Sequence, residues 1–242
     1  MTPLEFAQAS DQPFQTVGAA HYFDDLTRPA AEALGLDLFR FYFCGRGGVL
    51  GAVDAPVVQS AFGYFNPALL QKMWTSGGER CDVSEAASAQ MQVAYDIGDR
   101  NLEGVDGLEE ATEALARVTS AVDVGGLGLF AGFQQLPVPE HVPAAWMHQC
   151  ILMRELRGSV HLAALTSHGL PGRVAHQIAR PNDGEMFGWK EPAEVTNEQR
   201  EAYAAAKTLT DLGVAAHCAA LSEDERRHIV TCAQTSAERF TN

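Results

Sequence analysis

The sequence has few basic residues for its length. Its 242 residues include 17 lysines and arginines but 31 aspartates and glutamates, which gives a formal net charge of −14. A chain this acidic repels the phosphate backbone of nucleic acids unless its cations gather on a separate face. Nucleic acid is therefore disfavoured as a partner, although the net charge does not exclude binding through a separate basic face.

The sequence also has no C-x-x-C pair and no long apolar run, and we expect its first residues not to be a signal peptide. The five cysteines include no C-x-x-C pair, so neither a disulfide framework nor a zinc ribbon is indicated. The first fifteen residues, MTPLEFAQASDQPFQ, have no basic start and no apolar core, so we do not read them as a signal peptide. Because no apolar run approaches the length of a transmembrane helix, we expect no membrane partner and a cytoplasmic protein.

The sequence contains no β-hairpin signal, and its patterns are those of helices. We predict an all-α fold, with residues 1–15 as a loose N-terminal arm and residues 16–242 as one compact multi-helix domain. A first helix is expected from about Thr16 to Leu34. Residues 36–46 are apolar on all sides, which favours a buried helix, although their alternating phenylalanines leave a strand as the rival interpretation.

Two regions of the chain show a weak internal similarity. Residues 37–74 and 157–189 each contain an apolar helix, a glycine-containing bend, a short helix, a turn with proline and asparagine, and a closing tryptophan. Such a similarity would fit an old duplication. The domain could then consist of two pseudo-repeated halves, 16–135 and 140–242, with one cavity between them.

A cationic stripe marks the stretch from residue 154 to residue 189. Arg157, His161 and His168 fall on one face of an otherwise apolar helix, and His176 and Arg180 lie four residues apart on the next short helix. Buried cations are costly without partners. The stripe therefore needs solvent, acidic neighbours or an anionic ligand.

A glycine-rich stretch, YFCGRGGVLG, supplies a second candidate binding element. Its glycines would let the backbone approach a ligand, and Arg46 could bind a carboxylate or phosphate with two hydrogen bonds. We predict a cavity in which these cations meet aromatic side chains, and which suits a small anionic or aromatic metabolite. Its predicted lining is Phe41, Arg46, Tyr64, Trp74, Arg157, His161, His168, His176 and Arg180.

Several roles for these side chains stay open. His161 is the candidate general acid or base, because a histidine pKa lies near neutrality. Structural histidines and salt bridges between helices would explain the same residues without a ligand. The histidine spacing does not match a zinc motif, so we predict no metal, and nothing indicates a cofactor.

The same region also has the dimensions of a helix-turn-helix. A helix at 157–167, a bend at 168–170 and a helix at 171–179 would place Arg173, Gln177 and Arg180 where they could reach DNA. No cluster of lysines and arginines supports this second helix.

Three segments carry a resemblance to a known family: YFCGRGGVLGAV, FGYFNP and HQCILMRELRGSVHLAAL. They resemble a mostly uncharacterised actinobacterial family of all-helical proteins that are described as helix-turn-helix proteins, over about residues 22–217. The resemblance implies a helical fold and a site lined by arginine and histidine. The matched positions are Tyr42, Phe43, Arg46, Gly51, His148, Arg154, Glu155, Arg157, Gly158 and His161.

This chain departs from the family pattern in three places. Gly18 stands where a histidine is usual, Tyr64 falls at an asparagine position, and residues 197–242 read as two plain helices without a wing. Three classes of function remain: an enzyme of small-molecule metabolism that uses His161, a ligand-binding protein without catalysis, and a ligand-responsive DNA regulator. All three classes of function are compatible with a homodimer.

Overall fold

The computed structural model describes residues 1–241, and within that range all regular secondary structure is helical and there is no strand. The predicted all-α class is confirmed. The helices are α1 (Pro3–Ala9), α2 (Asp11–Ala19), α3 (Thr27–Ala33), α4 (Leu38–Gly47), α5 (Ala55–Phe62), α6 (Pro67–Gly78), α7 (Val83–Leu102), α8 (Leu108–Ala121), α9 (Gly128–Gln134), α10 (Val142–Ser167), α11 (Gly172–Ala179), α12 (Asn197–His217) and α13 (Glu223–Arg239).

Helix α10 is the centre of the fold. Its sequence is apolar around most of its circumference, and a helix of that kind must be buried on all sides. It packs against α2, α7, α8, α9 and α12. Trp146, Met147, Ile151 and Leu156 are each at most 1% exposed. The helix runs unbroken through Gly158 to Ser167, so Arg157 and His161 lie on one continuous helix, whereas His168 follows its end.

Residues 38–47 form a helix, as predicted, and the rival strand interpretation is wrong. Asp37 caps α4 by accepting a hydrogen bond from the backbone N–H of Arg40 at 2.8 Å. Glycines at the end of α4 let it lie directly against α7 and α6. A Cβ atom on Gly48 would collide with the Val83 carbonyl, and one on Gly47 would approach the Trp74 ring to 2.9 Å.

The N-terminal residues are ordered helix, and the prediction of a loose arm at residues 1–15 is wrong. Thr2 and Glu5 form a capping box at the start of α1. Phe6 is fully buried and Phe14 is 3% exposed, while α1 packs on α12 and α13. The apolar side chains of this segment are buried against helices that lie far away in the sequence, namely α10, α12 and α13.

The predicted helix from Thr16 to Leu34 is interrupted. Helix α2 ends at Ala19, a 3-10 turn covers Ala20–Tyr22, and α3 begins at Thr27. Pro29 explains the break, because within a continuous helix its ring would clash with the carbonyl of residue 25 and its nitrogen could not donate. At the third position of α3 the same proline is tolerated, because the first N–H groups of a helix have no partner within the helix.

The C-terminal helices begin as predicted. Thr196 and Ser222 each form a capping box, with Gln199 and Glu225 respectively, at the starts of α12 and α13.

The main core joins side chains from Phe6 to Ala233. The domain boundary and the division into halves stay predictions. The similarity between the halves is incomplete, since Trp74 lies within α6 whereas Trp189 lies in the irregular segment after α11. Within residues 1–241, no helix combines the length and hydropathy of a membrane span.

The packing of α1 predicts a large effect for a small truncation. Phe6→Ala should lower the free energy of unfolding by about 3–5 kcal/mol, because it leaves a cavity in the core. Leu4→Ala is the matched control on the same helix; its side chain is 36% exposed, and the expected loss is below about 1 kcal/mol. Urea denaturation measures both. Equal, small losses would mean that the N-terminal residues are indeed a loose arm.

Candidate functional site

The most unusual charges of the molecule lie between α4 and α10. Arg46 binds the carboxylate of Glu155 with two hydrogen bonds, from Nε to Oε1 at 3.0 Å and from Nη2 to Oε2 at 2.8 Å. The Glu155 side chain is 1% exposed and the Arg46 side chain 11%. A planar, two-bonded pair of this kind is the strongest form of a salt bridge.

A second guanidinium group meets the same carboxylate. Arg154 donates from Nη1 to Glu155 Oε1 in a short contact, and its Cζ atom lies 5.3 Å from the centre of the Tyr22 ring. Its Nε atom is buried and has no hydrogen-bond partner among the described residues. We call Arg46, Arg154 and Glu155 the guanidinium cluster. It holds two positive charges against one negative charge.

The titration of nearby groups does not cancel this excess charge. Burial alone would raise the pKa of Glu155, but Arg46 and Arg154 lower it below its usual value, so the carboxylate is ionised. His21 is 1% exposed beside the cluster. Burial, reinforced by Arg154, lowers its pKa to about 3, so the imidazole is neutral near pH 7. The cluster therefore carries a net charge of +1 in a largely buried place.

Aromatic rings surround the cluster. The Arg46 Cζ atom lies 4.6 Å above the Phe62 ring, and the centres of the Tyr22 and Tyr42 rings are 4.9 Å apart. The two tyrosines and Arg154 are partly exposed, whereas Glu155 and Arg46 are buried. The cluster thus has an open side that is bordered by aromatic and phenolic groups.

Arg157, which the sequence places in the pocket, is paired within the fold. Its Nε atom lies 2.7 Å from an oxygen of Asp11, and its Nη2 atom lies 2.6 Å from an oxygen of Asp211. The sequence left solvent, acidic neighbours or an anionic ligand as possible partners for this cation, and in the structure its partners are acidic neighbours. Its role is to hold α2 and α12 against α10.

His161 has both ring nitrogens occupied. Nδ1 lies 3.0 Å from the Thr210 hydroxyl, and Nε2 lies 2.9 Å from the Tyr64 hydroxyl. Because the Thr210 hydroxyl donates to the Ala206 carbonyl at 2.7 Å, it must accept from His161 Nδ1–H, so Tyr64 donates to Nε2. Burial lowers the pKa of His161 to about 4. The imidazole is neutral and has no free nitrogen for proton transfer.

The remaining predicted histidines and Arg180 lie further along the chain. His176 is buried and packs with its ring centre 4.4 Å from that of Phe187. His168 is exposed at the end of α10. Arg180 is exposed and pairs with Asp183 at 3.3 Å. These three residues do not join the guanidinium cluster.

The predicted cavity lined by Phe41 and Trp74 is not built as expected. Phe41 is fully buried, and its carbonyl accepts a hydrogen bond from Gln90 at 3.3 Å. Trp74 lines a surface groove of about 400 Å³ beside Asp54 and Cys81 instead. The predicted lining is therefore divided among several places, because its members were grouped by residue type rather than by contact.

The helix-turn-helix dimensions are present at α10 and α11. Gly169 has a left-handed backbone with φ of 63°. The N–H of Leu170 donates to the carbonyl of Leu165 at 3.0 Å, which closes the end of α10 and turns the chain into α11. The turn is further fixed by a small apolar cluster of Ala164, Leu165, Leu170, Ala175 and Ala206.

The polar side chains of α11 are bound by the irregular segment that follows it. Arg173 donates to the Glu191 carbonyl at 3.1 Å and lies 5.3 Å from the Trp189 ring centre. Gln177 accepts from the N–H of Ala193 at 3.1 Å. With Arg180 paired to Asp183, all three candidate DNA contacts have partners within the chain.

Sequence reasoning named Arg46 but missed its partner. Helical spacing places Arg154 at the edge of the cationic stripe, whereas Glu155 stands out only as a matched position of the family pattern, and neither His21 nor Tyr22 is a predicted site residue. A buried glutamate in an apolar helix is itself a signal, since such a side chain requires a cation. That cation is 109 residues away in the sequence, which no local pattern reveals.

A family model described as a helix-turn-helix family matches residues 7–186, about three-quarters of the chain. Neither the curated proteins nor the solved structures contain a significant match to the chain.

Removal of the shared carboxylate should have a large effect on stability. Glu155→Gln leaves the buried Arg46 and the partly exposed Arg154 without a counter-charge, so we expect the free energy of unfolding to fall by about 3–5 kcal/mol. Asp183→Asn is the control, because it breaks an exposed pair and should cost less than about 1 kcal/mol. Urea denaturation at neutral pH measures both. If the two variants lost the same small amount, Glu155 would not hold the cluster together.

Proposed function

The chain belongs to the helix-turn-helix family whose model matches residues 7–186, and we propose that it is a cytoplasmic protein that binds a small organic anion at the guanidinium cluster. The observation that carries this proposal is the charge imbalance: Arg46 and Arg154 share Glu155, and the Nε atom of Arg154 is buried without a partner. An unpaired buried charge is costly. An anion would supply the missing charge and accept the free N–H.

The surroundings favour a carboxylate attached to a planar or aromatic body. Carboxylates match the fork of a guanidinium group, and aromatic walls provide apolar contact for a flat ligand. Tyr22 and Tyr42, on the open side of the cluster, add hydroxyl groups that can orient the bound molecule. Burial raises the pKa of Tyr22, so its hydroxyl is protonated and can donate to an anion.

Binding is better supported than catalysis. His161 has both nitrogens in hydrogen bonds, and His21 has a pKa of about 3. Cys44 is buried, and its pKa is raised to about 12, so it is a neutral thiol rather than a nucleophile. The cluster can hold an anion and stabilise negative charge, but it presents no group ready to accept a proton.

A ligand-responsive DNA regulator is the second candidate, and the family match is the observation that favours it. For this function α11 would have to present Arg173, Gln177 and Arg180 to DNA, most simply from a homodimer. All three are held by residues 183–193. Salt-dependent binding of duplex DNA that Arg173→Ala weakens would favour this candidate; its absence would count against it.

Benzoate titrations test the proposed anion site. We expect benzoate to stabilise the protein against heat, and its neutral analogue benzamide to have no such effect. Arg154→Gln should weaken benzoate binding at least tenfold, because it removes the excess cation, while the Arg46–Glu155 pair keeps the fold intact. Arg180→Gln, which changes an exposed cation, should bind as the wild type does. Isothermal titration calorimetry measures all three proteins.

Two results would contradict the anion site. One is equal binding of benzoate and benzamide, which would show that charge is not recognised. The other is unchanged benzoate affinity in the Arg154→Gln variant.

A further inference from the structure

Gly158 occupies the middle of α10 without a packing reason. A glycine inside a helix destabilises it relative to alanine. A Cβ atom added to Gly158 would meet only one atom within reach, Oε2 of Glu155, at 4.0 Å. That distance is an ordinary van der Waals contact, so no neighbouring group requires the missing side chain.

Other glycines within long helices are required by their neighbours. A Cβ atom on Gly45 would lie 2.6 Å from the Gln90 side chain, and one on Gly213 would lie 2.6 Å from Val160. One on Gly98 would lie 3.1 Å from both the Met147 side chain and the Pro143 carbonyl. These three glycines permit close packing of helices, whereas Gly158 does not.

Gly158 lies on the face of α10 whose other side chains contact residues 46–64. Residues three and four positions away on a helix share its face. Glu155 binds Arg46, His161 binds Tyr64, and Leu162 lies against Gly63. Gly158 therefore points at the same part of the chain, residues 46–64, but does not touch it. Because Gly158 is partly exposed, the gap above it opens to solvent.

The groups at the two ends of this gap differ in charge. The guanidinium cluster at one end carries a net positive charge. At the other end, Tyr64 and His161 are neutral and bound to each other, and burial raises the pKa of Tyr64. Along α10, the seven-residue step from Arg154 to His161 corresponds to a rise of roughly 10 Å. That length accommodates one aromatic ring with a carboxylate.

We propose that Gly158 is the floor of the binding site, and that a flat aromatic carboxylate lies across it with its acid group at Arg154 and its ring toward Tyr64 and His161. This inference rests on the proposed anion site and adds the position and shape of the ligand body. The missing side chain at residue 158 leaves room for the ring. Glycine at this position destabilises the helix, and the reason for it is the room that the ligand needs rather than close packing.

Substitutions at Gly158 test the contribution of the aromatic ring to binding separately from that of the carboxylate. The probes are benzoate, which has a ring and a charge, and acetate, which has only the charge. Wild-type protein should bind benzoate at least tenfold more tightly than acetate. Gly158→Leu should weaken benzoate binding at least tenfold and acetate binding less than threefold. Ala163→Leu, which adds the same side chain at an exposed position of α10, should bind both probes as the wild type does.

Gly158→Ala provides a milder variant and a second measurement. Without ligand it should unfold at a higher temperature than the wild type, because alanine favours the helix and meets no obstacle. Its benzoate affinity should fall, while its circular dichroism spectrum should match that of the wild type. A lower unfolding temperature would show that packing, not ligand binding, requires the glycine.

The outcomes distinguish a failure of this inference from a failure of the proposed anion site on which it rests. If neither benzoate nor acetate bound the wild type, the anion site itself would fall, and this inference with it. If the anions bound through Arg154 but Gly158→Leu kept the benzoate affinity, only the position of the ligand body would be wrong.

Discussion

Glu155 is buried between two arginines, and the arrangement of the central helices depends on how that charge is satisfied. Helix α10 is apolar enough to be the core of the molecule, yet it carries an ionised carboxylate at a position that is 1% exposed. Helix α4 must therefore lie where Arg46 can reach this carboxylate with both arms of its guanidinium group. The glycines at the end of α4 let this helix pack closely on α6 and α7. Arg154 then adds a cation that the fold does not neutralise.

The fold could be predicted wherever its causes are local. Apolar helices, capping residues such as Thr196 and Ser222, and the lack of hairpin signals are short-range properties, and they predicted an all-α chain and most of its helices. The N-terminal segment could not be predicted, because Phe6 is buried by helices at the other end of the chain. Pro29 was a local signal for the break before α3, and it was overlooked in favour of a longer helix.

Of the side chains that the sequence assigned to a binding pocket, only Arg46 belongs to the guanidinium cluster. Arg46 and the stripe on α10 were recognised as cations that need partners, and Arg157 has them in Asp11 and Asp211. Which cation pairs with which acid depends on tertiary packing. The departure from the family pattern at Gly18 gains a physical meaning from the structure. A Cβ atom there would lie 3.1 Å from the Arg154 side chain, so a histidine at this position would have to displace Arg154. In this chain the neighbouring imidazole comes from His21.

The Nε–H group of Arg154 tests the account most directly, because it is a buried donor of the cluster for which the described residues provide no acceptor. In ¹H–¹⁵N spectra, its resonance can be assigned by comparison with Arg154→Lys and followed as benzoate is added. The account predicts that this resonance shifts to saturation with benzoate and stays in place with benzamide, while the Nε resonance of Arg180 is unaffected by either. A resonance of Arg154 that does not respond to benzoate, at concentrations that protect the protein against heat, would show that the anion binds elsewhere.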